Sequence, residues 1–187
     1  MPIEICATND ARDRLRHSLN RLNSRIQGDL VVQTEIVITD LEYIPTLFPR
    51  NYIPNEYQFF SRLLKNSLGM TQPKRFNGGD FKHLVVLNIH NIYSLEFTDY
   101  ELDAVIAHEL GHIFNTPDKS IEDYKTQTEL YADYFANSMR LRDPLISGIE
   151  KYLEQDWAEN VELFQLRITM LNQNETYLGT VRNTHSL

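Results

Sequence analysis

Two histidines four residues apart, with a glutamate directly after the first, stand in the middle of the chain as His108-Glu109-Leu110-Gly111-His112. On a helix this spacing puts both imidazoles on one face, one turn apart, where they can meet a single metal ion. Glu109 is offset by one position. It flanks the ion instead of competing for it, and its carboxylate can take a proton from a metal-bound water. The ion expected is Zn2+, which in catalytic sites takes three protein ligands and leaves one position to water. A third ligand should follow downstream, and Glu129 fits. On its predicted helix Glu129, Ala132, Asp133 and Ala136 fall along one face. The alanines let that face come close, and Gly111 does the same from its own side, at roughly 1 kcal/mol of helix propensity relative to Ala. Asp133, one turn beyond Glu129, can accept the spare N–H of a ligand histidine and fix its tautomer. Glu122 is the substitute ligand should Glu129 fail.

At these residues the chain resembles the gluzincins, zinc peptidases whose third ligand is a glutamate. His108, Glu109 and His112 match the first motif. Glu129 and Asp133, in Glu-Leu-Tyr-Ala-Asp, match the downstream Glu-x-x-x-Asp of thermolysin-like and membrane-type members. Short soluble relatives, the ImmA/IrrE-like and minigluzincin-type peptidases, share the arrangement. The likeness covers about 98 to 140. It implies a zincin-like α+β domain that hydrolyses peptide bonds, with Glu109 as general base and a peptide or protein as substrate. It also implies that the strand at 84 to 89 is an edge strand pairing with extended substrate. Gluzincins carry a Tyr, His or Arg that steadies the oxyanion, and Tyr131, Tyr134 and His90 are the candidates. The metzincin pattern fits worse, because Asn115 and Asp118 stand where it needs Gly and His.

The elements that must position these residues are legible from periodicity and punctuation. Residues 9 to 27 read as a helix with Leu15, Leu19, Leu22 and Ile26 on one face and Gly28 as its stop. Residues 30 to 38 and 82 to 90 read as strands, separated by a Pro-rich loop (41 to 55), a helix (56 to 68) and a Gly78-Gly79-Asp80 turn. Thr98-Asp99-Tyr100-Glu101 is a capping box opening a helix from 99 to about 114, which Pro117 keeps from continuing. A helix over 122 to 141 follows. Asp143-Pro144 then opens a long helix to about 173, whose apolar stripe through Ile149, Leu153, Trp157, Val161, Phe164 and Ile168 reads as core or as a dimer face. The expected architecture is a single α+β domain over 1–187, with a small mixed sheet packed against the active-site helix and further helices.

Composition narrows the function. The net charge is -8, and the arginines at 12, 14, 16, 21 and 25 are interleaved with Asp10 and Asp13, so no basic stripe for nucleic acid is present. The apolar runs are too short to span a bilayer, and the N-terminus does not read as a signal peptide. Cys6 is the single cysteine, which suits a reducing, cytoplasmic setting. His83 and His90 are expected as solvent-facing strand ends. Two readings stand beside the peptidase: a catalytically silent zinc-binding module acting through protein contact, and a helical interaction domain with a chance motif. Oligomeric state is left open.

Overall fold

The computed structural model describes residues 3–25, 35–48, 53–75, 81–114, 117 and 123–173. In chain order these form β1 (Ile3–Cys6), α1 (Asn9–Asn23), β2 (Glu35–Asp40), a 3-10 turn (Leu41–Tyr43), α2 (Ile44–Leu47), α3 (Ile53–Leu63), β3 (Gly69–Arg75), β4 (Phe81–Leu87), α4 (Ile89–Ser94), α5 (Asp99–Phe114), α6 (Tyr124–Ser138), α7 (Arg142–Leu153) and α8 (Val161–Asn172). The fold is α+β, with a mixed sheet in the order β1-β2-β4-β3. β1, β2 and β4 run parallel and β3 antiparallel to β4. No described helix is long and apolar enough to cross a membrane.

β2 and β4 are apolar on both faces because both faces are covered. Ile36, Ile38, Val85 and Leu87 join a core with residues of α1, α5, α6, α7 and α8. Val37, Leu84 and Val86 turn the other way, onto Ile44, Phe48, Phe60 and Leu64. The strand expected over 84 to 89 is therefore interior to the sheet, and the edge on that side is β3. Several other expectations are corrected. Residues 88 to 90 leave the sheet, because the Asn88 side chain accepts from the Asn91 amide and caps α4. The Pro-rich stretch is not all loop: Pro45 and Pro54 stand in the first turns of α2 and α3, where proline is tolerated. The long final helix is two helices, broken where the Tyr152 hydroxyl accepts from the Glu159 amide and Asn160 takes a left-handed φ of 53°. The expected segments at 26–34, the Gly78-Gly79-Asp80 turn, Glu122 and the polar tail from 174 lie outside the described residues.

α5 is the central element. Every residue from Glu101 to Gly111 is buried, as expected of a helix enclosed on all sides. Its capping box is formed: the Thr98 amide donates to Glu101 Oε2 at 2.6 Å, and Thr98 Oγ1 accepts from the Glu101 amide at 3.2 Å. Its outer side is clamped to α1, where Arg21 donates two hydrogen bonds to the Asp103 carboxylate and Ser18 donates a third.

Glu101 links this cap to α7 through Ser147 and Lys151, at 2.6 and 2.8 Å. Burial works to raise its pKa, but the bonds from Lys151, Ser147 and the Thr98 amide outweigh burial and hold it below the ordinary 4.5. The unfolded chain then binds the proton more readily. The contribution of Glu101 to stability is complete above the ordinary carboxylate range and is lost as pH falls through it toward the lower folded value. Glu101→Gln is expected to be less stable than wild type in urea titrations at pH 7. The difference should shrink as pH drops from about 5 to below 4. A difference independent of pH would contradict this assignment.

Candidate metal centre

α5 presents His108 and His112 one turn apart, with ring centroids 4.8 Å from each other and planes at 83°. α6 crosses beside them. A Cβ added to Gly111 would stand 2.7 Å from Ala132 Cα and 2.8 Å from Ala132 O, so here the two helices meet backbone to backbone. That contact carries Glu129 to the imidazoles. Its Oε2 lies 3.3 Å from His108 Nε2 and its Oε1 3.7 Å from His112 Nε2. One ligand atom from each of the three residues lies within 4.8 Å of the others. Tetrahedral zinc with bonds of 2.0–2.1 Å needs ligand atoms about 3.3 Å apart. The donor set of two nitrogens and a carboxylate oxygen, and its spacing, fit such an ion. Glu129 and its close approach to the two imidazoles are thus where the residue pattern put them.

Asp133 Oδ1 is 2.8 Å from His108 Nδ1. The ring therefore donates from Nδ1 to Asp133 and turns Nε2 toward Glu129, so that Nε2 is the nitrogen it would offer to a metal in exchange for its proton. Arg167 of α8, to which no role was assigned from residue pattern alone, completes this cluster. It is buried, donates to both oxygens of Asp133 at 2.7 and 2.8 Å, and sits 3.3 Å from Glu129 Oε2. Its Nη2 also stands 3.2 Å from His108 Nδ1, but that nitrogen's proton is already given to Asp133. An arginine one position before Ile168, inside an apolar stripe, was the available signal.

Burial and charge set the protonation of the cluster. Burial and the neighbouring Arg167 both oppose a charged His108, yet its bonds to Asp133 and Glu129 prevail and push it up to about 9. His112 is driven down to about 4 by burial and by the nearby His108. Glu129 resists the effect of burial and is held well below the carboxylate range by His108 and Arg167. Asp133 does the same, with Arg167 and then His108 opposing its burial. Glu109, buried beside them, is raised by that burial to about 7, although His108 and the Thr71 hydroxyl pull the other way.

His108, Glu109, His112, Glu129 and Arg167 border a cleft of about 740 Å³ between β3, α5, α6, α7 and α8, within the usual range for ligand sites. Val105, Leu145, Ile149 and Leu163 supply apolar wall beside the two histidines. Tyr131, Tyr134 and His90 are not among the described residues that line it. His83, Tyr124 and Arg167 are. His83 is half-buried inside β4 and not a solvent-facing strand end, whereas His90 is exposed. No protein-family model, curated protein or solved structure matches the chain at a significant level.

Gly111→Ala tests the helix contact by its sign. In an uncrowded helix the change would stabilise by about 1 kcal/mol. Here the added Cβ meets backbone, so we expect a loss of about 1–3 kcal/mol in urea unfolding, together with weaker zinc binding by competition with a chromogenic chelator. A variant more stable than wild type would show that the helices are not in contact.

Proposed function

We propose that this protein is a zinc-dependent endopeptidase of the gluzincin type, with a zincin-like fold. The observation that carries the reading is the convergence of His108, His112 and Glu129 from two helices, with a non-ligating Glu109 at their side, in a cleft bordered by the edge strand β3. Zinc is the ion that best suits two imidazoles and one carboxylate, and when bound it supplies Lewis acidity and an acidified water.

The chain's own residues divide the remaining work. His108, His112 and Glu129 hold the ion, and Asp133 fixes the His108 ring through Nδ1. Arg167 keeps the two carboxylates of α6 in place and offsets their charge. Asp133, buried, and Glu129, partly buried, would otherwise be two anions one helical turn apart, and charges withdrawn from water need partners. The Glu109 carboxylate takes the proton of the attacking water and passes it to the leaving amine. The apolar walls of the cleft take substrate side chains and exclude bulk water, which strengthens every charge interaction within.

β3 is the strand suited to receive an extended peptide. The Asn88 amide donates to the Leu68 carbonyl at 2.9 Å, and the antiparallel register continues without a slip from Gly69↔Leu87 to Arg75↔Phe81. Hydrogen-bonded pairs alternate along such a ladder. Met70 and Gln72 therefore bond to β4, while Gly69, Thr71 and Pro73 turn their backbone groups outward. A substrate strand would add to that outer side. Pro73 has no N–H to offer there, so the pairing is centred on Gly69 and Thr71. A cytoplasmic setting suits a chain with one free cysteine.

The purified protein is expected to hold one zinc per chain by elemental analysis and to cleave members of a diverse peptide library read by mass spectrometry. Glu109→Gln should hold the same zinc and lose about 10²–10⁴-fold in rate. Wild type that retains zinc yet cleaves nothing in the library would favour a silent binding module. Wild type that binds no zinc would defeat both readings.

A further inference from the structure

The polar edge strand does more than border the cleft: two of its residues build the seat of Glu109. Thr71 Oγ1 lies 2.9 Å from Glu109 Oε2 and 3.0 Å from the Glu109 carbonyl oxygen. The hydroxyl has one proton and two acceptors within reach, both on the same residue. Rotation about its C–O bond moves the hydrogen bond between them without releasing Glu109, and the ionised carboxylate is the stronger acceptor. Two residues earlier on the same face of β3, Gly69 leaves room for that carboxylate. A Cβ there would stand 2.8 Å from Glu109 Oε1 and 3.1 Å from Cδ and Cγ. One oxygen of Glu109 is thus held by Thr71 and the other lies against the bare backbone of Gly69.

We infer that Thr71 is a positioning residue for the Glu109 general base, and that Gly69 is required as the space in which that base lies. This rests on the peptidase reading for its catalytic meaning, though not for its geometry. Glu109 has several rotatable bonds, and no metal–ligand bond is available to fix it, since it stands outside the ligand set. Without the hydroxyl its carboxylate would sample orientations away from the reacting water. Because the backbone of the same two residues faces outward to receive substrate, a peptide seated on β3 is in register with the base it needs.

Three variants test this. Thr71→Val keeps size and strand preference but removes the hydroxyl, Thr71→Ser keeps the hydroxyl, and Gly69→Ala intrudes on Oε1. Two quantities are read: the side-chain carboxyl 13C resonance of Glu109, assigned by its loss in Glu109→Gln, and steady-state kinetics on a cleaved peptide. In Thr71→Val and Gly69→Ala the resonance should move, with and without zinc. In both, kcat should fall about 10- to 100-fold, the range for a lost hydrogen bond to a charged group. KM and zinc affinity should stay near wild type. Thr71→Ser should restore the resonance and most of the rate. The crowded atom in Gly69→Ala is the end of a flexible side chain, so the thermal midpoint should hardly change. An unmoved resonance in Thr71→Val, or a serine variant as impaired as the valine one, would overturn the inference. If the resonances behave as expected but wild type cleaves no peptide, the positioning stands and the peptidase reading fails.

Discussion

Glu129 reaches the two imidazoles only because α5 and α6 touch at their backbones. The contact point is the middle of the site. Gly111 follows His108 by three residues and precedes His112 by one. Ala132 stands in the same relation to Glu129 and Asp133. Side chains three and four apart share a helix face, so one close approach delivers all four functional groups at once. With a larger residue at either position the axes would separate by more than the glutamate could span, and the carboxylate would be an ordinary helix-surface group. The stacked Phe114 and Phe135 rings, 5.4 Å apart, hold the same two helices together one turn further on.

Close approach brings charge with it, and the charge has to be balanced where water is excluded. Glu129 and Asp133 are anionic, and Arg167 and His108 are drawn toward their cationic forms. In the metal-free site the charges of these four cancel, which meets the need of buried ionised groups for partners. Arg167 suits this place better than a lysine would. Its planar fork meets both oxygens of Asp133 and still reaches Glu129, while its guanidinium lies 4.9 Å over the Phe164 ring. Its presence depends on the break between α7 and α8. The Tyr152 hydroxyl accepts the Glu159 amide and donates to the Asn66 carbonyl, and Trp157 packs edge-on against the Tyr152 ring. The chain turns there, and α8 comes back across α6.

The convergence of His108, His112 and Glu129, the capping box and the small residues between the helices were all legible, because each rests on fixed local spacing. Helix α1, the core of β2 and most of β4 were legible for the same reason: period and β-branching report burial directly. The α7–α8 break was not, since the apolar spacing of Ile149, Leu153, Trp157 and Phe164 runs through it without a slip. What marks the break is a hydrogen bond from the Glu159 amide back to the Tyr152 hydroxyl across the turn, and the apolar period carries no sign of it. Arg167 was hidden likewise. A charged residue in an apolar stripe announces an unusual environment but not its partners, Asp133 and Glu129, which belong to another helix.

The least legible strand is the one most closely tied to the site, and there is a physical reason. Strand signals come from side chains chosen to be buried, and they fade where a sheet meets a cleft. Gly-Met-Thr-Gln-Pro-Lys-Arg has little of the β-branched, alternating character that marks an interior strand. Each departure has a use at an exposed edge. Gly69 leaves space for the Glu109 carboxylate, Thr71 puts a hydroxyl in reach of it, and Pro73 removes an outward donor that would invite another chain to add to the sheet. β4, by contrast, reads strongly as a strand because it is sealed between β2 and β3, and that sealing keeps it from pairing with anything else. Ranking strands by the strength of their apolar pattern therefore selects the interior one, and a cleft-facing edge has to be sought among the weaker, polar candidates next to it.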